Sequence, residues 1–297
     1  MKVALKTNGI IKKYGNNTVL NGINMNIKKG DIYGFIGKNG AGKTTFMRVV
    51  LSLTPKNAGE IQFFDDKTIE EVGLKIGSLI ESPGLYKNAS AYENLKRFSI
   101  LYGAEEKQIN EILKIVGLGN TGNRKVKNFS LGMKQRLGIA IALLGNPEFL
   151  LLDEPINGLD PEGIKEIRDV ILKLNKEKGI TFLISSHLLD ELSKIVTRYG
   201  IINNGVLIEE IEAKELKDKC KNKLIIECSD INEAKKILSK KIKEKDITIK
   251  NNLLEINSNV EKAASLNAEL VKKGIAVSAI YPSLTSLEEY FMQRIGG

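Results

Sequence analysis

The 297-residue chain has no apolar run approaching the roughly 20 residues that cross a bilayer. Its opening stretch, Met1 to Gly9, also lacks the long apolar segment of a signal peptide. The expectation is a cytoplasmic chain with no membrane span of its own, so that any membrane part belongs to another chain. Cysteine is scarce: Cys220 and Cys228 are not in CxxC spacing and have no histidine nearby. That argues against a metal site or redox pair and for idle thiols in a reducing compartment. Also missing is any basic stripe interleaved with aromatics. The net charge of +9 comes from 45 basic and 36 acidic side chains, with lysines scattered among glutamates. This pattern reads as a solvated surface, and a nucleic-acid partner is not expected.

What is present begins with Gly37-Lys38-Asn39-Gly40-Ala41-Gly42-Lys43-Thr44-Thr45, which fits G-x-x-x-x-G-K-[ST]. The short apolar run Ile32–Ile36 before it reads as a buried strand, and Thr44 to Leu51 after it as a helix. Glycines let the backbone wrap an anion and turn successive N–H groups inward. The helix N-terminus adds its own N–H groups and the positive end of its dipole. Asn39, Gly40, Ala41, Gly42, Lys43, Thr44 and Thr45 are therefore the expected phosphate-binding residues. Lys43 serves the β- and γ-phosphates, and the Thr44 hydroxyl serves Mg²⁺. An ordinary Gly-rich turn has no call for the lysine and the hydroxyl together.

Around this loop, Thr18–Leu20 and Ile23–Ile27 read as short strands, and Asn57–Glu60 as a turn into a strand Ile61–Phe64. From about Ala89 to Leu144 the pattern becomes helical, with amphipathic segments Tyr92–Phe98 and Gln108–Val116 and a stop at Gly117. Strands return at Phe149–Leu152 and Ile180–Ser185, separated by a helix from Pro161 to Lys178. Apolar strands alternating with helices imply a mainly parallel sheet covered on both faces. After about Ala213 the composition turns Lys-, Asn- and Ile-rich. Strands at Leu224–Cys228, Ile247–Ile249, Leu253–Ile256 and Ala276–Tyr281 alternate there with helices at Ile231–Lys241 and Val260–Lys273. That order is a small split βαβ arrangement, with a hairpin at Asn251-Asn252 and a last helix at Ser286–Arg294.

The chemistry narrows at Phe149-Leu150-Leu151-Leu152-Asp153-Glu154, where a buried strand ends in two carboxylates. Ligands of open α/β sheets bind at that end. Asp153 is suited to Mg²⁺ and Glu154 to polarising the attacking water. Phe129-Ser130-Leu131-Gly132-Met133-Lys134-Gln135-Arg136 opens a further helix; on spacing alone Ser130 reads as its cap. Beside the other two motifs, the segment resembles the LSGGQ signature of ABC-type ATPases, with Leu131 and Met133 as departures. In that family the serine and second glycine touch the γ-phosphate held by a partner subunit, and both survive as Ser130 and Gly132. The resemblance covers residues 1 to about 212. It implies a D-loop role for Asp160 at the dimer interface, a γ-phosphate-sensing role for His187, and adenine stacking on Tyr14. A packed surface tyrosine is the alternative at that last position.

Where most of these ATPases have a glutamine that senses Mg²⁺ and the attacking water, this chain has Glu81. With Pro83, Tyr86 and Asn88, it is similar to the bacitracin-type and lantibiotic-immunity exporters, as is the ending Thr285–Phe291. The resemblance implies an α/β P-loop NTPase of ABC type with a mainly parallel core sheet, an antiparallel β part and a helical insertion at about 85–144. The expected domains are 1–212, the ATPase, and 213–297, a small α+β accessory domain. The expected activity is ATP hydrolysis driving export of a drug or peptide antibiotic. Expected partners are a second ATPase copy and a membrane permease, which takes hold near Glu81–Asn94 and keeps the chain at the cytoplasmic face of the membrane. The expected cofactors are ATP and Mg²⁺, with Thr44, Asp153 and Glu81 as metal residues and Glu154, His187, Lys43 and Glu81 as catalytic ones. Two alternatives are a non-transport ABC protein acting on ribosomes or DNA, and a slow-turnover ATPase that senses or sequesters an antibiotic.

Overall fold

Alternation of buried and exposed residues along Val3–Tyr14 (β1) and Asn17–Lys28 (β2) makes them a long antiparallel pair. The computed structural model describes residues 2–220, 223–257, 262–283 and 287–295. It divides the chain into two units, 1–213 and 214–297, one residue from the expected boundary. Thr18–Leu20 and Ile23–Ile27 belong to the single strand β2. Register shifts against β1 accompany Gly9 and Gly22, both at positive φ, and keep the apolar residues facing inward. Next come Ile32–Ile36 (β3), helix Lys43–Val50 (α1) and Ala58–Phe63 (β4). The expected turn at Asn57–Glu60 lies largely inside β4. Gly59, at φ 93, allows close approach, since a Cβ there would sit 2.5 Å from the Gly9 carbonyl oxygen. The antiparallel sheet has the order β2-β1-β4.

A short helix Ile69–Val72 (α2) and strand Ile76–Leu79 (β5) lead to the helical insertion. Its helices are Ala91–Tyr102 (α3), Glu106–Ile115 (α4) and Leu131–Ala142 (α5). Ser90 caps α3 in a box with Glu93, each side chain accepting from the other's backbone N–H. Phe149–Asp153 (β6), Pro161–Lys178 (α6), Thr181–Ser186 (β7) and Leu189–Leu192 (α7) follow. Two strands not expected from the sequence, Arg198–Asn203 (β8) and Val206–Glu212 (β9), complete a six-stranded sheet of order β5-β6-β7-β3-β8-β9. All its pairs are parallel except β8–β9.

The core lies between this sheet, α1 and the antiparallel sheet, where Tyr33, Phe35, Phe46, Met47, Leu151 and Leu183 pack. Phe35 and Phe46 rings meet with centroids 5.2 Å apart, fixing α1 to β3. Register then levels the strand ends, because Phe35 and Asp153 both pair with Ser185. The segments after β3, β6 and β7 consequently leave the sheet at one edge, bringing the phosphate loop, Glu154 and His187 together.

In the second unit, Lys223–Cys228 (β10), Ile247–Lys250 (β11), Leu253–Asn257 (β12) and Val277–Ser283 (β13) form an antiparallel sheet of order β11-β12-β10-β13. Helix Ala213–Lys219 (α8) begins at the last residue of the first unit. Helices Ile231–Leu238 (α9) and Ala263–Lys272 (α10) bury Leu238 and Leu270 against Leu224, Ile226 and Leu254. The expected turn is present, with Asn251 and Asn252 at φ 49 and 59. Helix α9 stops at Leu238 rather than Lys241, in a turn closed by Lys241 N–H on the Leu238 carbonyl. The expected starts at Val260 and Ser286 lie outside the described residues; the last helix is Leu287–Ile295 (α11).

Candidate functional site

Gly42, the N-cap of α1, sits at φ 108, and Gly40 at φ 80, conformations that a side chain would strain. A Cβ on Gly37 would lie 2.6 Å from the Ile202 carbonyl oxygen, so the loop also needs bare backbone to lie against β8. The result is a concavity of ≈ 190 Å³ lined by Asn39, Gly40, Gly42, Thr44, Thr45 and Glu154, among others. A larger hollow of ≈ 460 Å³ beside β4 and α2 contains none of the motif residues, and its mixed-charge lining converges on no chemistry.

Lys43 is 6 % exposed. Its ammonium donates to the Gly37 and Lys38 carbonyls, at 2.8 and 3.3 Å, and lies 3.3 Å from Glu154 Oε1. His187 Nδ1 is 2.9 Å from the other oxygen, Glu154 Oε2. The Glu154 carboxylate is thus gripped on both sides. Its backbone is held too: Glu154 N–H donates to Ser185 Oγ at 2.9 Å, and Glu154 takes φ 47. A non-glycine residue in that region costs of order 1–3 kcal/mol and persists only where neighbours enforce it.

Asp153 is buried at the end of β6. Its Oδ2 accepts from Thr44 Oγ1 at 2.7 Å, and its Oδ1 from Ser185 Oγ at 2.5 Å. A hydroxyl and a single carboxylate suit Mg²⁺, a hard cation that takes oxygen donors and completes its shell with phosphate and water. Among the described residues no cluster of three or more His, Cys, Asp or Glu side chains forms an all-protein metal cage.

Glu81 is not drawn into this cluster. Its Oε1 accepts from Arg48 Nη2 at 2.6 Å, its side chain is 58 % exposed, and its backbone has φ 60. Arg48 lies on α1, one helical turn beyond Thr44, and holds the carboxylate there. Tyr14 ends β1 half-exposed, with the Lys12 ammonium 4.6 Å from its ring centroid. Ser130 caps α5, its Oγ accepting from Met133 N–H at 3.2 Å. Asp160 caps α6, its Oδ1 accepting from Gly163 N–H at 3.0 Å. Gly132 is buried between α5 and α6; a Cβ on it would lie 3.5 Å from Gly163 Cα.

Sequence reasoning missed two participants. In the sequence Ser185 reads only as strand; its signal is a serine level with Asp153 in neighbouring apolar strands, visible once the β6–β7 register is known. Arg48 reads only as a helix residue.

Comparison with known proteins extends this picture. The ABC transporter family profile matches residues 20–157. The chain is 43 % identical to the bacitracin transport ATP-binding protein BcrA of Bacillus licheniformis, over 100 % of this chain and 99 % of that protein. It is 46 % identical to the lantibiotic transport ATP-binding protein SrtF of Streptococcus pyogenes, over 75 % of this chain and 98 % of the relative. Among solved structures, the dimeric post-hydrolysis state of the ATP-binding cassette MJ0796, bound to ADP and Pi, matches with TM-score 0.62. The identity is 28 %, over 70 % of this chain and 98 % of that one. With the phosphate loop, the Asp153–Glu154 pair and the capped Ser130 helix on one fold, these likenesses make the chain an ATPase of the ABC transporter family, one of its ATP-binding subunits.

Proposed function

We propose that two copies of this chain power a membrane exporter of peptide antibiotics of the bacitracin or lantibiotic kind, from the cytoplasmic face of the membrane. The observation that carries the catalytic part is the grip on Glu154, between Lys43 at 3.3 Å and His187 at 2.9 Å. In this reading the loop N–H groups from Asn39 to Thr45 cradle the ATP phosphates. The Lys43 ammonium turns from Glu154 to the β- and γ-phosphates, which frees one carboxylate oxygen to take a proton from water. His187 keeps the other oxygen oriented, and Ser185 keeps the backbone in place. Mg²⁺, held by Thr44 and Asp153, supplies neutralisation of phosphate charge. Glu81 serves the metal side only after leaving Arg48. Tyr14 offers a ring face to adenine, while Ser130, Gly132 and Asp160 meet the nucleotide and interface of the second copy. Closure does mechanical work and hydrolysis permits reopening.

Among the described residues no helix is long and apolar enough to cross a membrane. The likeness to transport ATP-binding proteins supports a separate permease as the transmembrane path. Its docking place is the ≈ 360 Å³ groove beside Glu81, lined in part by Leu79, Ile80, Pro83, Phe98 and Ile141. The antibiotic assignment is supported by the full-length likeness to the bacitracin transport protein and by the lantibiotic transport relative. The test is the tolerance of a sensitive bacterium to bacitracin and several lantibiotics. The host expresses this chain with its permease, beside a Glu154→Gln control. Raised tolerance that disappears in the control supports ATP-driven export. Unchanged tolerance with both proteins in the membrane removes the antibiotic assignment and leaves the ATPase.

A further inference from the structure

Arg136 is a buried cation with an unusual set of partners. It lies on α5, six residues after Ser130, about 9 Å along the helix axis. Only 7 % exposed, it donates through Nη1 to the carbonyls of Val116 and Gly117 at 3.1 and 3.2 Å. Those carbonyls end α4, so the guanidinium meets the negative pole of that helix. Its Nη2 lies 2.9 Å from Glu166 Oε2 on α6. One side chain therefore ties α4, α5 and α6 together. Near their N-termini, α5 and α6 also approach through Gly132 and Gly163, where a Cβ on Gly132 would lie 3.5 Å from Gly163 Cα with Leu159 beside it.

The Glu166 side chain is 42 % exposed, so the ion pair by itself is weak grounds for stability. What a planar fork supplies is a fixed geometry among three groups, which a lysine cannot reproduce. The two helices locked in this way are the ones capped by Ser130 and Asp160. We propose that Arg136 is a positioning residue for closure of the ATP-bound pair. It holds the Ser130 and Asp160 ends at fixed spacing, so that they meet the second copy as one rigid face. The inference rests on the two-copy reading above and adds the part that assembles its contact surface.

The test uses the full chain in the Glu154→Gln background, with two readouts. The first is binding of a fluorescent ATP analogue with Mg²⁺ at protein concentrations too low for dimers. The second is the ATP concentration that drives half-maximal dimerisation. Arg136→Met should leave the first within about twofold and raise the second about 10- to 100-fold, the range that loss of buried charge-assisted hydrogen bonds gives. Arg136→Lys, which keeps the charge without the fork, should recover little of the loss. Should the Met variant not fold, Glu166→Gln replaces it and should shift dimerisation in the same direction by roughly threefold. Unchanged dimerisation overturns the proposal, as does a loss of analogue binding equal to the loss of dimerisation. If the Glu154→Gln parent itself fails to dimerise, the two-copy reading falls and takes this inference with it.

Discussion

Ser185→Ala removes one oxygen and two hydrogen bonds at the point where the strand ends meet. The hydroxyl is fully buried, donates to Asp153 and accepts from Glu154 N–H. Loss of a bond to a charged group costs about 1.5–3 kcal/mol, and an unpaired buried N–H about 1–3 kcal/mol. Asp153 keeps Thr44 as a partner, so the two losses do not add in full. A total of about 2–4 kcal/mol follows. For a unit of this size each kcal/mol lowers Tm by about 2–4 °C, so the thermal transition of the larger unit should fall by about 4–16 °C. The catalytic effect follows from the Glu154 backbone, whose left-handed conformation loses its tether. If about 1.4–2.8 kcal/mol of that anchoring is lost from the transition state, kcat drops about 10- to 100-fold. The KM for ATP should move little, because the phosphate cradle is untouched. Calorimetry and steady-state phosphate release check both halves. A kcat within threefold of the parent, or a Tm within about 2 °C, refutes the claim that Ser185 tethers the Glu154 backbone.

Three further outcomes are expected. Glu154→Gln should bind ATP, accumulate as a dimer in size-exclusion chromatography and lose at least about 100-fold in hydrolysis; a monomer with full turnover would sink the assignment. Tyr14→Ala should weaken ATP binding by about 5- to 150-fold while Tyr14→Phe holds, as base stacking of about 1–3 kcal/mol requires; equal loss in both would show that the ring is not a stacking platform. Burial, and then the neighbouring Glu210, push the Tyr33 phenol well above its ordinary range. The unfolded chain therefore loses this proton first, near pH ~10. The stability tied to it is full below that pH and falls as pH rises further. Tyr33→Phe should cost about 1–2 kcal/mol at neutral pH through its lost bond to Glu210 and flatten the alkaline limb; an unchanged slope in urea titrations at pH 8 and 10.5 would show that another group sets it.

The legible parts of this molecule were those with local causes. The phosphate loop combines glycines, a lysine and a hydroxyl within nine residues, between an apolar strand and a helix, and β3 and α1 appear there. Asp153 and Glu154 stood out because a wholly apolar strand otherwise has no reason to end in acids. The hairpin of the second unit showed itself through Asn251-Asn252. A similar signal at Asn204-Gly205, at φ 46 and 77, joins β8 to β9 and went unread. Strand β1 was obscured because Gly9 shifts its register and Lys12 counts as polar. Lys12 is in fact buried, with its ammonium donating to the Pro55 carbonyl. Ser185, Arg48 and Arg136 act on residues 31, 33 and 19 positions away or more, and no local pattern records such pairings.

In the two-copy function proposed above, the cap at Ser130 carries a consequence for how the pair would recognise nucleotide. A hydroxyl has one proton to give and two lone pairs to receive with. The cap engages Ser130 only as a receiver, from Met133 N–H. Its proton is left facing solvent, since Ser130 is exposed, and the cap confines the rotor that carries it. A side chain that would otherwise search several orientations is aimed before any phosphate arrives. The ordering entropy of that contact is thus settled when the single chain folds, leaving less to be supplied at the moment of closure.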